Sequence, residues 1–308
     1  MSFILAHLSD AHLGPLPRPL KRELISKRLT GYLNWVGGRE RFHDMQVLAR
    51  LVEDMKQQKP DHVAMTGDIL NIGLPGEFAL ASAWLSTLGN PHDVSFVPGN
   101  HDAYLRSSMP YLLRTFAPWT THDPGQGPPL PYPYPYLRRR GNVALIGLAS
   151  GVPTMTFLAS GRLGTEQRRA FVRLLEETAD QGLARIVMIH HPPYKTGATP
   201  GRRLTDATAF EKIMAEHKVD LVIHGHNHRF SIAQLKSAGG TVPVVGVPSA
   251  SAVPGSARHR AAYHLYTIEE GRHGITIEGR TRGLLSGTRE IIGDLGAFSI
   301  TAKPQHDR

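Results

Sequence analysis

Short apolar runs that stop abruptly at metal-binding residue types recur along this chain. The run at residues 94–97 is followed by Pro-Gly-Asn-His-Asp, which ends at Asp102. Four other runs end in the same way, at Asp10 and His12, at Asp68, at His190 and His191, and at His224, His226 and His228. Open α/β sheets place their ligands in polar loops at the carboxyl ends of strands. A single Asp, Asn or His after a strand is usually a turn former or a cap, but five such loops in order predict one shared site.

The order of these blocks is DxH, GD, GNHD, H and GHxH, and they extend from Asp10 to His228. In every block the sequence resembles the calcineurin-like metallophosphoesterases. The fourth block reads HHPP at residues 190–193, the form shared by bacterial class III cyclic nucleotide phosphodiesterases and glycerophosphodiesterases. The resemblance implies a four-layer αββα sandwich of two mixed β-sheets with helices outside. Composition alone predicts only an α/β protein.

The resemblance also implies which residues hold two metal ions. Asp10, His12 and His228 are expected at the first ion, Asn100, His190 and His226 at the second, and Asp68 between them. Residues two apart in an extended segment point to the same side, which suits Asp10 with His12 and His226 with His228. His191 is expected to contact a ligand or the substrate, and His224 to be structural.

By the same resemblance His101 is catalytic without being a ligand, and it would protonate the leaving oxygen or stabilise charge on the phosphoryl group. Asp102 is placed either to orient the His101 imidazole or to cap the next helix. We therefore predict His101 and Asp102 as catalytic residues. Asn71 is expected to be a turn residue, with a contact to a residue of the site or to the substrate as the alternative.

These expectations define a dinuclear metal-dependent phosphodiesterase that acts by in-line attack of a metal-bound hydroxide on phosphorus. Sites with N and O ligands accept several divalent ions, so manganese or iron is expected, and zinc, cobalt or nickel is allowed. The predicted substrate is a cyclic nucleotide. The alternatives are a glycerophosphodiester, a nucleotide-linked lipid or a nucleic acid end. A non-catalytic scaffold with the same fold is the alternative of another class.

Composition sets further limits. The 308 residues contain no cysteine, which excludes disulfides, thiolate zinc sites and cysteine nucleophiles. The formal net charge of +9 favours anionic partners. Without a second domain for nucleic acid, a small-molecule phosphodiester is the expected partner, and a homo-oligomer is left open. No signal sequence and no run of ~20 apolar residues is evident, so we predict a cytoplasmic protein without a membrane span.

We predict a single domain over residues 1–300 and a disordered tail at residues 301–308. Residues 20–35 are expected to form a basic amphipathic helix, or a pair of helices, whose cations bind phosphates or face solvent. The cations are Lys21, Arg22, Lys27 and Arg28. After His228, short runs at residues 231–235, 242–247, 263–268 and 274–278 predict antiparallel strands of the second sheet.

A segment rich in proline, glycine and tyrosine lies at residues 118–135, and an extended path is expected for it. Tyr132, Tyr134 and Tyr136 are spaced by two, which would point their rings to one side. The predicted roles are a lid that stacks on a base or an oligomer contact. The alternative is a surface loop that packs its own rings. The arginines at residues 138–140 would form a basic edge or a solvated strand end.

Overall fold

The computed structural model describes residues 2–123, 133–253, 259–271 and 274–300. Its strands form two six-stranded sheets. The first has the order β12-β11-β10-β1-β2-β3, with β1 Ser2–Leu8, β2 His62–Met65, β3 Val94–Phe96, β10 Ala262–Gly271, β11 Gly274–Leu284 and β12 Ile292–Ser299. The second has the order β4-β5-β6-β7-β9-β8, with β4 Tyr136–Arg140, β5 Val143–Gly147, β6 Ala184–Met188, β7 Leu221–His224, β8 Ser231–Ser237 and β9 Gly240–Gly246.

Both sheets are mixed. In the first, β1, β2 and β3 are parallel and β10 pairs antiparallel with β1. In the second, β5, β6, β7 and β9 are parallel and β4 and β8 form antiparallel edges. The helices are α1 Arg28–Val36, α2 Met45–Gln57, α3 Pro75–Leu88, α4 Met109–Thr120, α5 Thr165–Glu177 and α6 Ala207–Glu216. Within the described ranges no helix is long and apolar enough to cross a membrane.

Three apolar layers hold these elements together. Between the sheets, residues of the first sheet such as Leu5 pack in one cluster with residues of the second such as Ile186. The outer face of the first sheet packs against α2, α3 and α4, and that of the second against α5 and α6. Helix, sheet, sheet and helix are therefore stacked in that order. The predicted αββα sandwich is confirmed.

Local signals explain the helix starts. The Asp44 carboxylate accepts hydrogen bonds from the amides of Gln46 and Val47, which caps α2. Pro75 occupies the first turn of α3, where its missing N–H costs nothing. The basic segment forms a helical pair, a 3₁₀ turn at Lys21–Leu24 followed by α1, rather than one continuous helix.

The prediction for the carboxyl-terminal strands is partly wrong. β8 and β9 belong to the second sheet, but β9 runs parallel to β7. β10, β11 and β12 instead extend the first sheet beyond β1. Strand patterns do not specify which sheet edge a strand joins, because both edges offer equivalent backbone partners.

Tyr134 and Tyr136 are buried in the core between the sheets, so the predicted lid is wrong for these two rings. The Tyr136 hydroxyl donates to the Phe96 carbonyl oxygen at 2.9 Å. Gly147 makes room for this ring, since a β-carbon there would lie 2.2 Å from it. Tyr132 and the tail at residues 301–308 lie outside the described residues.

Two of the three arginines of β4 are buried, so this strand does not form the predicted basic edge along its whole length. The buried Arg138 guanidinium donates to the carbonyl oxygens of Thr121, Pro118, Pro91 and Val94. Arg140 is also buried and pairs with the Asp123 carboxylate at 2.9 Å. These cations anchor the strand to neighbouring turns.

Candidate metal centre

The carboxyl ends of strands from both sheets meet at one edge of the sandwich. His190, after β6 of the second sheet, uses Nδ1 to donate to the Thr66 carbonyl oxygen, after β2 of the first, at 2.7 Å. The backbone N–H of His226, after β7, donates to Asp10 Oδ2, after β1, at 3.0 Å. These contacts join the loops across the interface between the sheets. Residues more than 200 positions apart in the sequence therefore share one site.

Potential ligand atoms cluster there in overlapping groups, each within 4.8 Å. The groups are Asp10 with His12 and His228, Asp10 with Asp68 and His190, His12 with Asp68 and His101, and His190 with His191 and His226. His228 Nε2 lies 3.1 Å from Asp10 Oδ1, and His190 Nε2 lies 3.3 Å from Asp68 Oδ2. Six of the seven predicted ligands are thus together.

Asn100, the seventh, lies on the wall of the same cavity. Its Oδ1 is buried and accepts no hydrogen bond from the described residues. Buried amide oxygens nearly always have a partner, and a cation would supply one here. The set of carboxylate, imidazole and amide ligands therefore fits divalent metal ions.

The histidine rings are oriented for ligation by their outer hydrogen bonds. His12 Nδ1 lies 3.2 Å from the Leu70 carbonyl oxygen and His190 Nδ1 lies 2.7 Å from that of Thr66, so these nitrogens carry the protons. Each ring then directs its Nε2 inward, towards the other ligand atoms of the cluster. The Nε2 atoms of His12 and His228 face each other at 3.4 Å, an arrangement that a shared ion would stabilise.

Backbone strain is concentrated at this edge. Seven non-glycine residues in the described ranges have positive φ, and five of them are predicted ligands. They are Asp10, His12, Asp68, His226 and His228, with φ between 41° and 69°. Such conformations cost about 1–3 kcal/mol each and persist where the surroundings impose them, typically at functional sites.

Two glycines permit the close approach of the loops. A β-carbon on Gly99 would lie 2.2 Å from Asp68 Oδ1, and one on Gly225 would lie 1.8 Å from Ser9 Oγ. Any side chain at either position would displace a carboxylate or its support. The glycines of the GNHD and GHxH blocks are therefore steric requirements of the cluster.

The charges of the cluster stabilise each other. Burial opposes ionisation of His190, yet Asp68 prevails and raises the pKa of the ring to about 9. Burial likewise opposes ionisation of Asp68, and the adjacent His190 holds its pKa well below the usual value. By contrast, burial and then the His190 charge lower the pKa of His191 to about 3.

His101 lies at the edge of the cluster and is held from two sides. Its Nδ1 donates to the Asn71 carbonyl oxygen, and its Nε2 accepts from Arg39 Nη2 at 3.0 Å. Burial and then the Arg39 charge lower the pKa of His101 to about 4. Asn71 is itself fixed by the buried Glu77, because the backbone N–H of Asn71 donates to Glu77 Oε1 with an N···O distance of 2.6 Å. Through its backbone Asn71 thus orients the ring, and the residue also lies in a bend, as expected of a turn residue.

Asp102 takes neither of its two predicted roles, since within the described residues its carboxylate neither contacts the His101 ring nor caps the next helix. The Asp102 carboxylate accepts from the backbone amides of Asp68, Ile69, Leu70 and Gly99 at 2.7–3.0 Å. Burial and then the Asp68 charge raise the pKa of Asp102 to about 7. Asp102 therefore ties together the GD and GNHD loops, and it supports Asp68 through the backbone.

His191 and His224 use ring nitrogens to contact hydroxyl and carbonyl oxygens. His191 Nδ1 lies 2.8 Å from Ser150 Oγ, and its Nε2 lies 3.1 Å from the Ala159 carbonyl oxygen. Both ring nitrogens are used, and the ring packs on that of His226 with centroids 4.4 Å apart. His224 is buried and directs Nδ1 to the Gly225 carbonyl oxygen.

The ligand loops open into a cavity of about 670 Å³. Among the residues of its wall that the motifs do not include are Arg39, His43 and Arg202. His43 stacks on Trp35 and donates or accepts at Ser251 Oγ at 2.8 Å. The charge excess at residues 20–41 was the only signal in the sequence for Arg39, and Arg202 had none.

Comparison with known proteins agrees with this arrangement. The family model for calcineurin-like phosphoesterases matches residues 3–230, more than half of the chain. The chain belongs to the calcineurin-like phosphoesterase family, as predicted.

Two relatives are similar at low identity. A probable cyclic nucleotide phosphodiesterase of Synechococcus sp. is 29% identical over 184 residues, which cover 59% of this chain and 63% of that protein. The glycerophosphodiester phosphodiesterase GpdQ of Enterobacter lignolyticus is 25% identical over 239 residues, which cover 76% and 74%. This chain thus spans less than two thirds of the Synechococcus protein.

Solved structures show the same fold. A dimetal phosphatase from Danio rerio superposes with a TM-score of 0.61 at 14% identity, over 97% of this chain and 98% of that one. The purple acid phosphatase PPD1 of yellow lupin superposes with a TM-score of 0.57 at 13% identity, over 92% and 52%. At such identities the likeness concerns the fold alone.

Proposed function

We propose that this protein is a dinuclear metal-dependent phosphodiesterase. The observation that carries the proposal is the cluster of buried carboxylates and inward-facing imidazoles at the wall of an open cavity. Asp10, His12 and His228 would hold one ion, Asn100, His190 and His226 the other, and Asp68 would bridge them. When bound, two divalent ions would activate water and neutralise charge on a phosphoryl group.

The side chains of the cavity supply the remaining functions. Arg39 Nη2 lies beside His101 Nε2, and Arg202 Nη2 lies 3.2 Å from the His226 carbonyl oxygen. Both guanidiniums would bind the non-bridging oxygens of an anionic substrate. His101, fixed by Asn71, would take up a proton at Nε2 once Arg39 has left that atom, and would pass it to the leaving oxygen. The phosphate would displace Arg39 from His101 and free the ring for this role.

We propose a cyclic nucleotide as the substrate. Support comes from the HHPP block, from the name of the Synechococcus relative and from the cavity, whose size suits a nucleotide. Tyr134 and Tyr136 do not support a cyclic nucleotide, because their rings are buried and cannot stack on a base. A glycerophosphodiester is the second candidate, since the Enterobacter relative is named for that activity.

A substrate panel at one manganese concentration tests both candidates. It contains 2′,3′- and 3′,5′-cyclic nucleotides, glycerophosphodiesters, a pyrophosphate-linked lipid and simple monoesters. We expect turnover of a cyclic nucleotide, and Arg39→Ala should raise its KM more than Arg203→Ala, the exposed neighbour of Arg202 that lies off the cavity wall. Turnover of monoesters alone would refute the diesterase, and turnover of glycerophosphodiesters alone would select the second candidate.

Elemental analysis distinguishes the enzyme from a non-catalytic scaffold. We expect about two ions per chain, manganese or iron, after reconstitution. A chain that binds no metal under these conditions would be a scaffold. A cytoplasmic location and a single domain over residues 1–300 remain predictions from the sequence, testable by cell fractionation and by limited proteolysis.

A further inference from the structure

Helix α1 directs apolar side chains to solvent. Leu29, Leu33 and Val36 are spaced by four and three residues, so they share one face, and they are 46%, 57% and 52% exposed. Ile25, one turn earlier, is 83% exposed. An ordinary surface helix buries its apolar face and exposes its charges. Here Trp35 is buried but so is Arg28, so the usual arrangement is reversed for this cation and for the three exposed apolar side chains.

The reversal has a structural cause. The Arg28 guanidinium donates to the carbonyl oxygens of Ile72 and Gly73 and to Ser108 Oγ. Lys27 Nζ donates to the Thr154 carbonyl oxygen at 3.0 Å and lies over the Tyr104 ring at 4.2 Å. These two cations therefore neither bind phosphates nor face solvent freely, contrary to the prediction. They hold α1 so that its apolar face points outward.

A second apolar segment lies beside α1, joined to it by the contact between Lys27 and Thr154. Met155 is 77% exposed, Phe157 is 93% exposed and Leu158 is 44% exposed. Phe157 also has a φ of 68°, a conformation that costs energy in a bulky residue. A strained, fully solvated phenyl ring gains nothing from packing within this chain. We call Ile25, Leu29, Leu33, Val36, Met155, Phe157 and Leu158 the apolar rim.

The apolar rim lies at the mouth of the metal cavity. Asn34 of α1 and the exposed Phe42 just after it line the cavity, as does Ala159, which directly follows Leu158. Patches of this kind on a soluble chain usually mark an interaction surface. Whatever covers the rim would therefore face the cavity entrance.

The charge around the rim indicates the partner. Between Arg18 and Phe42 the sequence has seven basic and two acidic residues, and residues 152–158 have no charge. The exposed cations of this stretch are Arg18, Lys21, Arg22 and Arg41. Apolar side chains bordered by cations are what an anionic lipid surface attracts. A second copy meeting this surface about a twofold axis would bring the same cations together, which disfavours it.

We propose that the apolar rim binds the surface of an anionic lipid bilayer, with its side chains at the acyl boundary and Lys21 and Arg22 at the headgroup phosphates. The chain would lie on the membrane without crossing it. The inference depends on exposure and charge alone, and it stands whether or not the proposed activity is correct. In this orientation the cavity opens towards the lipid surface.

Co-sedimentation with vesicles tests the proposal. We expect the full chain to sediment with vesicles of equal parts phosphatidylglycerol and phosphatidylcholine, and not with phosphatidylcholine alone. Raising the salt concentration should weaken binding, because the attraction between cations and headgroups is screened. No sedimentation with the anionic vesicles would overturn the proposal.

Matched variants locate the surface. Leu29→Ser with Leu33→Ser should weaken binding about tenfold or more, because two leucines that the lipid surface would bury are removed. Leu80→Ser with Ile291→Ser, at side chains 50% and 56% exposed elsewhere, should not change it. Equal effects of the two pairs would refute the assigned surface. All four side chains are largely exposed, so the variants should fold, which thermal unfolding checks.

A double charge reversal tests whether attraction to the lipid headgroups contributes to vesicle binding. Lys21→Glu with Arg22→Glu should weaken binding about tenfold or more. Arg169→Glu with Lys212→Glu, at side chains 69% and 78% exposed on α5 and α6, is the control of equal charge change and should retain binding. Sedimentation velocity without lipid provides the alternative outcome. A dimer that Leu29→Ser with Leu33→Ser dissociates, with no vesicle binding, would make the rim an interface between copies and refute the bilayer.

Discussion

Two regions of this molecule bury histidines, and they differ in what surrounds the rings. At the edge of the sandwich, His190 and His228 contact the carboxylates of Asp68 and Asp10. In the interior of the first sheet, His7, His62 and His264 are as buried as His190, but over the ranges that the structure describes each ring bonds only to a hydroxyl or a carbonyl oxygen. No carboxylate among the described residues forms an ion pair with these three rings.

The difference teaches that burial alone does not identify a functional histidine. Burial lowers the pKa of His264 to about 3, so this ring stays neutral and acts as a polar core residue. At the edge, the same burial is opposed by Asp68, and the pKa of His190 is raised. Carboxylates, facing imidazole nitrogens and left-handed backbone occur together only at the edge within the described part of the chain.

Removal of the proposed bridge should have the largest effect. Asp68→Ala should abolish the binding of both ions and reduce turnover far beyond the roughly 10–100-fold that loss of a supporting residue costs. His264→Gln, a change at an interior histidine, should leave two ions bound. Elemental analysis and turnover of both variants check this. If Asp68→Ala retained two tightly bound ions and turnover near that of the parent, the edge of the sandwich would not be the metal site that distinguishes it from the interior histidines.

His101 should matter for the reaction but not for metal binding. We expect His101→Ala to retain the ions and to lose about 10²–10⁴-fold in rate on substrates with poor leaving groups. The deficit should shrink for a nitrophenyl diester, whose leaving group needs little protonation. An equal deficit on both substrates would argue against proton donation by this ring.

Asp102 should act through the backbone of the Asp68 loop. Asp102→Asn places amide hydrogens against backbone donors, so we expect about 10–100-fold weaker metal affinity. The loss should be the same for good and poor leaving groups, unlike that of His101→Ala. Metal titration with turnover of both substrates checks this. A deficit that depends on the leaving group would restore the orienting role predicted from the sequence.

The interior histidines should make the metal-free protein sensitive to acid. His264 has a pKa of about 3 when folded, below its ordinary value of 6.5, so between these pH values the unfolded chain binds more protons. Its contribution to stability is therefore lost as the pH falls through this window, and amounts to about 2 kcal/mol between pH 7 and pH 5.

Urea unfolding of the chelated protein at both pH values measures this change. His264→Gln should reduce the loss of unfolding free energy between pH 7 and pH 5 by about that amount, whatever its effect at pH 7. The comparison of two pH values removes the packing cost of the substitution. An identical pH dependence in the two proteins would show that His264 is not neutral in the folded state.

The motif order was sufficient for the family, and the resemblance that it carries implied the αββα layers and the residues that meet at the edge. Apolar runs fix strands, and a motif order fixes which strand ends carry polar residues, so Asp10, Asp68 and His190 could be named in advance. Their roles as ligands remain predictions. The pattern failed for β10 to β12, because it does not encode which sheet edge a strand extends.

What the sequence determines by itself is therefore the set of chemical groups and the strand that delivers each one. The partners of those groups were decided only by the tertiary structure. Asp102 supports a neighbouring loop, Tyr136 fills the space above Gly147, and Arg39 reaches His101 from a separate segment. The physical reason is that a hydrogen bond or a packing contact depends on distance in space, and sequence spacing sets that distance only within one helix or strand.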